Sequence, residues 1–229
     1  MALGTTLSEL VRMVREEAGH STNPAVGSQT ADPIRQRIRR TYRRLHTGWE
    51  WPHLVVERDE ELLAGQRFYS FEPGIDPLRI QQVWTKEAGS DLWRPVEYGI
   101  GIGALNHYDS DADNERADPV RRWQRAEDNQ YEVWPTPLKE GSILRMRGIA
   151  KPKELVADND IVDIDDDLIA LFVAGELLTR QKDPEAQLKL EQAAQHQLRL
   201  RAQTSGRATF PIHQPRAEWQ GVSVRAPRT

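Results

Sequence analysis

LIALFVAGELLTRQK, residues 168–182, carries apolar side chains almost all round a helix. A helix with no polar face has to be surrounded by protein, so this one is predicted to be the buried centre of the fold. The aspartates before it, ending in Asp166 and Asp167, stand where they cap the helix and meet its positive end. Asp183 and Pro184 then break it and open another helix. In that helix Ala186, Leu190, Ala194, Leu198 and Ala202 recur every four residues and read as the packed face of a helical hairpin.

Upstream, Thr6 and Glu9 have capping-box spacing, and Leu7, Leu10, Val11 and Val14 form an apolar stripe that Gly19 ends. Residues 20–31 are rich in turn formers and read as a loop. Asp32 and Pro33 supply an N-cap and a preset first residue for a second helix, with Ile34, Ile38, Tyr42, Leu45 and Trp49 along one face. From 54 to about 153 the apolar period shifts toward two. Strands are predicted at 54–58, 67–71, 79–85, 131–134 and 143–149, with a short helix near 102–108.

The expectation is an α+β fold in four parts. Residues 1–53 and 156–204 form a mainly helical core, 54–155 an inserted antiparallel β subdomain, and 205–229 an extended C-terminal tail. The tail holds Phe210, Ile212, Trp219, Val222 and Val224 as isolated apolar residues among prolines and glycines, too few for a core.

At 229 residues and 38% hydrophobic content the chain can bury a sizeable core. The absence of cysteine excludes disulfides, thiolate ligands and a thiol nucleophile. No apolar run approaches a membrane span, and MALGTTLSEL has neither the basic start nor the apolar centre of a signal peptide, so a soluble protein made in a cytoplasm is expected. A net charge of −4 argues against a protein that coats nucleic acid.

Catalytic and metal patterns fall short. Asp109, Asp111 and Asp113 alternate as in a calcium loop, but Asn114 and Val120 stand where glycine and a bidentate glutamate belong; the alternatives are a solvated acidic loop or a docking surface for a partner's arginines. Asp158, Asp160, Asp163, Asp165, Asp166 and Asp167 are explained in large part by helix capping. Gly99, Gly101 and Gly103 lack the lysine or serine of a phosphate loop. The histidines show no ligand spacing, and no serine sits in a nucleophile elbow. No catalytic residue, metal site or cofactor is assigned.

The second helix is unusual in its arginines. Arg35, Arg37, Arg39, Arg40, Arg43 and Arg44 crowd the faces its apolar stripe leaves, a density that needs opposing carboxylates or phosphates. Those are found within the chain, on a neighbouring subunit, or on DNA. A nucleic-acid-binding protein that uses this helix is therefore the alternative reading.

Directly after that helix, Trp49, Glu50, Trp51 and Pro52 begin a series that continues with LLAGQRFYSF (62–71), a strand leading to Val83 and Trp84, YEVWPTP (131–137), Gly141 opening another strand, and an acidic lead-in to the hairpin. In order and spacing this resembles the head-to-tail adaptor (connector) proteins of tailed phages. The resemblance implies a non-enzymatic virion subunit of the head–tail neck. Such a subunit forms a dodecameric ring with copies of itself beneath the portal protein, closes the head after packaging and offers the platform for tail or nozzle proteins. Double-stranded DNA would pass through its channel without sequence specificity, and no membrane is involved. Arg35, Arg39, Arg43, Trp49, Trp51, Phe210, Ile212 and Trp219 are the expected interface residues.

Overall fold

A computed structural model of the chain describes residues 4–21, 28–107 and 115–204. Helix α1 (Leu7–Glu17) starts on the expected capping box: the Thr6 hydroxyl accepts from the Glu9 amide at 3.3 Å and the Glu9 carboxylate accepts from the Thr6 amide at 3.0 Å. Leu7, Leu10, Val11 and Val14 are buried, and Gly19 follows the helix with a φ of +67°, a conformation glycine adopts without a Cβ penalty.

Helix α2 (Ser28–Thr47) begins earlier than the sequence suggests, and Pro33 lies inside it. Asp32 therefore lies inside the helix and not at its N-cap, and its carboxylate accepts from Arg35 at 2.9 Å. Pro33 is the sixth residue of this helix, so it does not mark the boundary that its sequence context suggests.

Among the described residues the middle of the chain forms eight strands: β1 (Val55–Leu62), β2 (Phe68–Ser70), β3 (Ile75–Lys86), β4 (Trp93–Pro95), β5 (Glu97–Tyr98), β6 (Arg122–Arg125), β7 (Gln130–Trp134) and β8 (Ser142–Ala150). The short helix α3 (Ile102–Leu105) follows β5. One sheet has the order β1-β8-β3-β4, the other β2-β7-β6-β5. Both contribute to a single core, with Leu62, Val83, Leu144 and Met146 from the first and Tyr69, Trp123, Tyr131 and Val133 from the second. One pairing departs from the antiparallel expectation: β5 runs parallel to β6. The two strands are separated in sequence by residues 99–121, length enough for the crossover a parallel pair requires.

The stretch at 168–182 forms α4 (Asp166–Gln181), whose Leu168, Ile169, Ala170, Val173 and Ala174 are buried. Its cap is Asp165, one residue before those expected, accepting from the Leu168 amide at 3.0 Å. Lys182 turns left-handed at φ 58°, and α5 (Glu185–Thr204) returns along α4. Gly175 permits that approach, since a Cβ there would lie 2.7 Å from the Leu190 side chain. The packed face of α5 differs from expectation: Ala186, Ala193 and Leu200 are buried, while Ala194 and Leu198 are exposed. A four-residue step advances about 40° too far on a 3.6-residue helix, so the expected stripe drifts off the contact within two turns.

The helical core joins α1, α2, α4 and α5, and Val55, Ile149 and Ala150 from the ends of β1 and β8 pack against it. Arg79 of β3 clamps the two layers, donating to the carbonyls of His46 and Trp49, each at 2.8 Å, where the end of α2 offers its negative pole.

Candidate assembly interface

Most of the arginines on α2 are spent inside the chain. Arg35 donates to Asp32 at 2.9 Å and to Asp158 at 2.7 Å. Arg39 donates to the carbonyls of Leu155 and Val156, fastening α2 to the segment that leads into α4. Arg37 at 3.8 Å and Arg44 at 3.2 Å share the carboxylate of Glu176, and Arg44 lies 5.1 Å over the Phe172 ring. Arg43 is exposed, as is Arg40 one turn away. Of the three arginines expected at an interface, Arg43 alone faces outward; Arg35 and Arg39 hold internal acceptors.

The outward residues fall on one line. Gln36, Arg40, Arg43 and Thr47 follow helical spacing. Beside them a cleft of about 350 Å³ opens between α2 and α4, lined by Pro33, Gln36, Arg37, Arg40 and Arg180. Arg180 comes from the last turn of α4, and among the described residues neither it, Arg40 nor Arg43 has an ion-pair partner. Arg180 stands in an apolar stretch that gives no local sign of this setting; only the packing of α4 beside α2 brings it into this group.

The two tryptophans after α2 have different settings. Trp51 is 0% exposed and donates its indole N–H to the Leu45 carbonyl at 3.0 Å, so in the subunit it is core. Trp49 is half-buried under the guanidinium of Arg201, 4.9 Å from its ring centre. Phe210, Ile212 and Trp219, and the acidic run of Asp109, Asp111 and Asp113, lie outside the described residues.

The second acidic run is largely structural. Asp163 accepts from the Tyr42 hydroxyl at 2.7 Å, and Asp166 accepts from the Thr5 hydroxyl. Asp165, Asp167 and His196 bring possible ligand atoms within 4.8 Å of one another, a convergence that sequence spacing could not show. Asp165 is already engaged with the Leu168 amide and, at 2.8 Å, with His196, and the positive end of α4 works against a cation there. Between the sheets, burial and then the neighbouring Glu72 carboxyl push Glu60 up to about 7. The Tyr131 hydroxyl beside this pair is buried and has no hydrogen-bond partner among the described residues.

A family model described as SU10 adaptor protein matches residues 5–225. The chain belongs to the SU10 adaptor protein family. The match takes in the helical core, both sheets and most of the tail. It makes the adaptor a phage protein that works in contact with other head and tail proteins and is a component of the virion. A search of curated proteins found no match. Among the described residues no helix is long and apolar enough to cross a membrane.

Proposed function

We propose that the adaptor is one subunit of a dodecameric ring that binds beneath the portal, closes the filled head and provides the platform on which the tail or nozzle is built. The observation that carries this reading is the family match over residues 5–225. A rigid helical core clamped to a two-sheet module by Arg79 suits a ring subunit, which has to present fixed surfaces to neighbours on both sides. The net charge of −4 suits a channel from which DNA has to slide freely. The commitment of Arg35, Arg37, Arg39 and Arg44 to acceptors in the chain itself weighs against DNA capture by α2.

In this reading the adaptor is not an enzyme, the four parts of the chain act as core, module, core and arm, and Phe210, Ile212 and Trp219 of the arm anchor in a groove of a partner. Co-sedimentation with the portal ring of the same phage tests the role. The full chain is expected to travel with the portal at a fixed ratio, and removal of 205–229 is expected to weaken that association far more than it lowers thermal stability. Equal loss of folding and binding on truncation would remove the assigned role of the arm; no co-sedimentation of a folded full chain would remove the portal role.

A further inference from the structure

We propose that His46 makes the joint between the helical core and the two-sheet module acid-sensitive: the layers hold together while its ring is neutral and loosen when the ring takes up a proton. This goes beyond the ring reading and does not depend on it. His46 lies in the last turn of α2 and is 0% exposed. Neither ring nitrogen has a hydrogen-bond partner among the described residues, and the Tyr42 ring packs edge-on at 5.8 Å. A neutral imidazole ordinarily donates at one nitrogen and accepts at the other, so a ring that does neither is held by packing alone. The Trp49 indole N–H, three residues on, is also buried with no partner among the described residues. These unmet polar atoms belong to the two residues whose carbonyls receive Arg79, the side chain that fastens the module to the core.

A proton on this ring finds no free acceptor. The charged groups that face it are Asp163, from the segment that leads into α4, and Arg79 and Asp76, from β3. Asp163 is committed elsewhere: its carboxylate accepts from the Tyr42 hydroxyl at 2.7 Å and lies 3.5 Å from the Lys153 ammonium, and its carbonyl meets the His53 ring at 2.7 Å. Asp76 accepts from the Leu78 amide at 3.0 Å. Arg79 sets a fixed positive charge against the same turn of α2. Burial, the largest influence, holds the His46 ring below its ordinary 6.5; Asp163 and Asp76 pull upward without cancelling it, and Arg79 adds to the depression. The folded chain thus refuses a proton that the unfolded chain accepts. The stability that follows is complete above about 6.5, falls as the pH drops through that value, and stops falling once the folded ring itself titrates. An imidazolium carries two N–H donors and has to reach acceptors or water. Reaching them opens the last turn of α2, and with it the carbonyls that Arg79 holds. The loss therefore begins at the joint and leaves the buried centre of α4 in place.

The test uses the full chain. Imidazole signals followed by NMR from pH 8 to pH 4.5 are expected to show the His46 ring, assigned through its backbone, with a midpoint below 6.5. Hydrogen exchange read by mass spectrometry at pH 7.5 and 5.0, normalised to intrinsic amide rates, is expected to show at least about fivefold loss of protection in 44–54 and 75–82, against less than about twofold in 168–178. In His46→Gln, which has no ring to titrate there, protection of the joint is expected to stay within about twofold between the two pH values. Its melting temperature is expected to drop over that range by at least about 2 °C less than that of the natural chain. A midpoint at or above 6.5, protection lost evenly across both layers, or the same loss in both chains would overturn the proposal. A His46→Gln chain that does not fold leaves the decision to the titration and the exchange on the natural chain, which need no variant.

Discussion

Trp51 and Glu60 show how single side chains set the properties of this adaptor. Trp51 fills the joint between α2 and the sheets with its one polar atom satisfied by Leu45. Trp51→Ala is expected to cost about 3–5 kcal/mol by urea denaturation, the range for a fully buried tryptophan. Glu60 is the opposite case, a carboxyl held between the sheets next to Glu72. Its folded pKa, about 7, lies above the ordinary 4.5, so its contribution to stability is fully present below about 4.5 and is lost as the pH rises through about 7. Glu60→Gln keeps the shape and a donor toward Glu72 without the charge. Melting curves should show it more stable than the natural chain by about 2–4 °C at pH 8, with the difference vanishing near pH 4. Neither role could be read from sequence: Trp51 was visible as an aromatic next to a helix, but the pairing of Glu60 with Glu72 exists only once β1 and the end of β2 are stacked.

The elements divide by how their signal arises. The capping box of α1 and the all-apolar run of α4 are local, so they were legible from a few residues. The face of α5 was not, because its apolar positions are sparse and two phases compete: Leu198 at 66% exposure belongs to the phase that faces water, Leu200 at 3% to the one that packs. Leu198→Gln is therefore expected to change stability by less than about 0.5 kcal/mol and Leu200→Ala to cost about 2–5 kcal/mol, measured side by side in denaturant. The short strands β4, β5 and β6 left no run long enough to read, and they are fixed by pairing, β4 to β3, β6 to β7 and β5 to β6. At Gly148 in β8 the pairing itself is tight. A Cβ there would sit 2.8 Å from the Arg79 carbonyl, opposite the irregular register of β3. Gly148→Ala is expected to destabilise by more than about 1–3 kcal/mol, because backbone has to move to admit it.

At the scale of the whole molecule, the order of parts was legible and the surface was not. Helices, sheets and helices followed from the change of apolar period along the chain, and the series from Trp49 to the hairpin carried the family resemblance that the match over 5–225 bears out. Which charges face outward depends on packing: the same helix offers six arginines, and only the placement of Asp158, Leu155 and Glu176 decides that Arg40 and Arg43 are the ones left facing outward. In the proposed role the function of this chain appears in assembly. The most direct measurement is electron microscopy of the purified adaptor mixed with the portal ring of the same phage. The proposed role requires an added layer of twelve subunits at one end of the portal, coaxial with its channel. A folded adaptor and an intact portal that remain separate particles at micromolar concentration would contradict it.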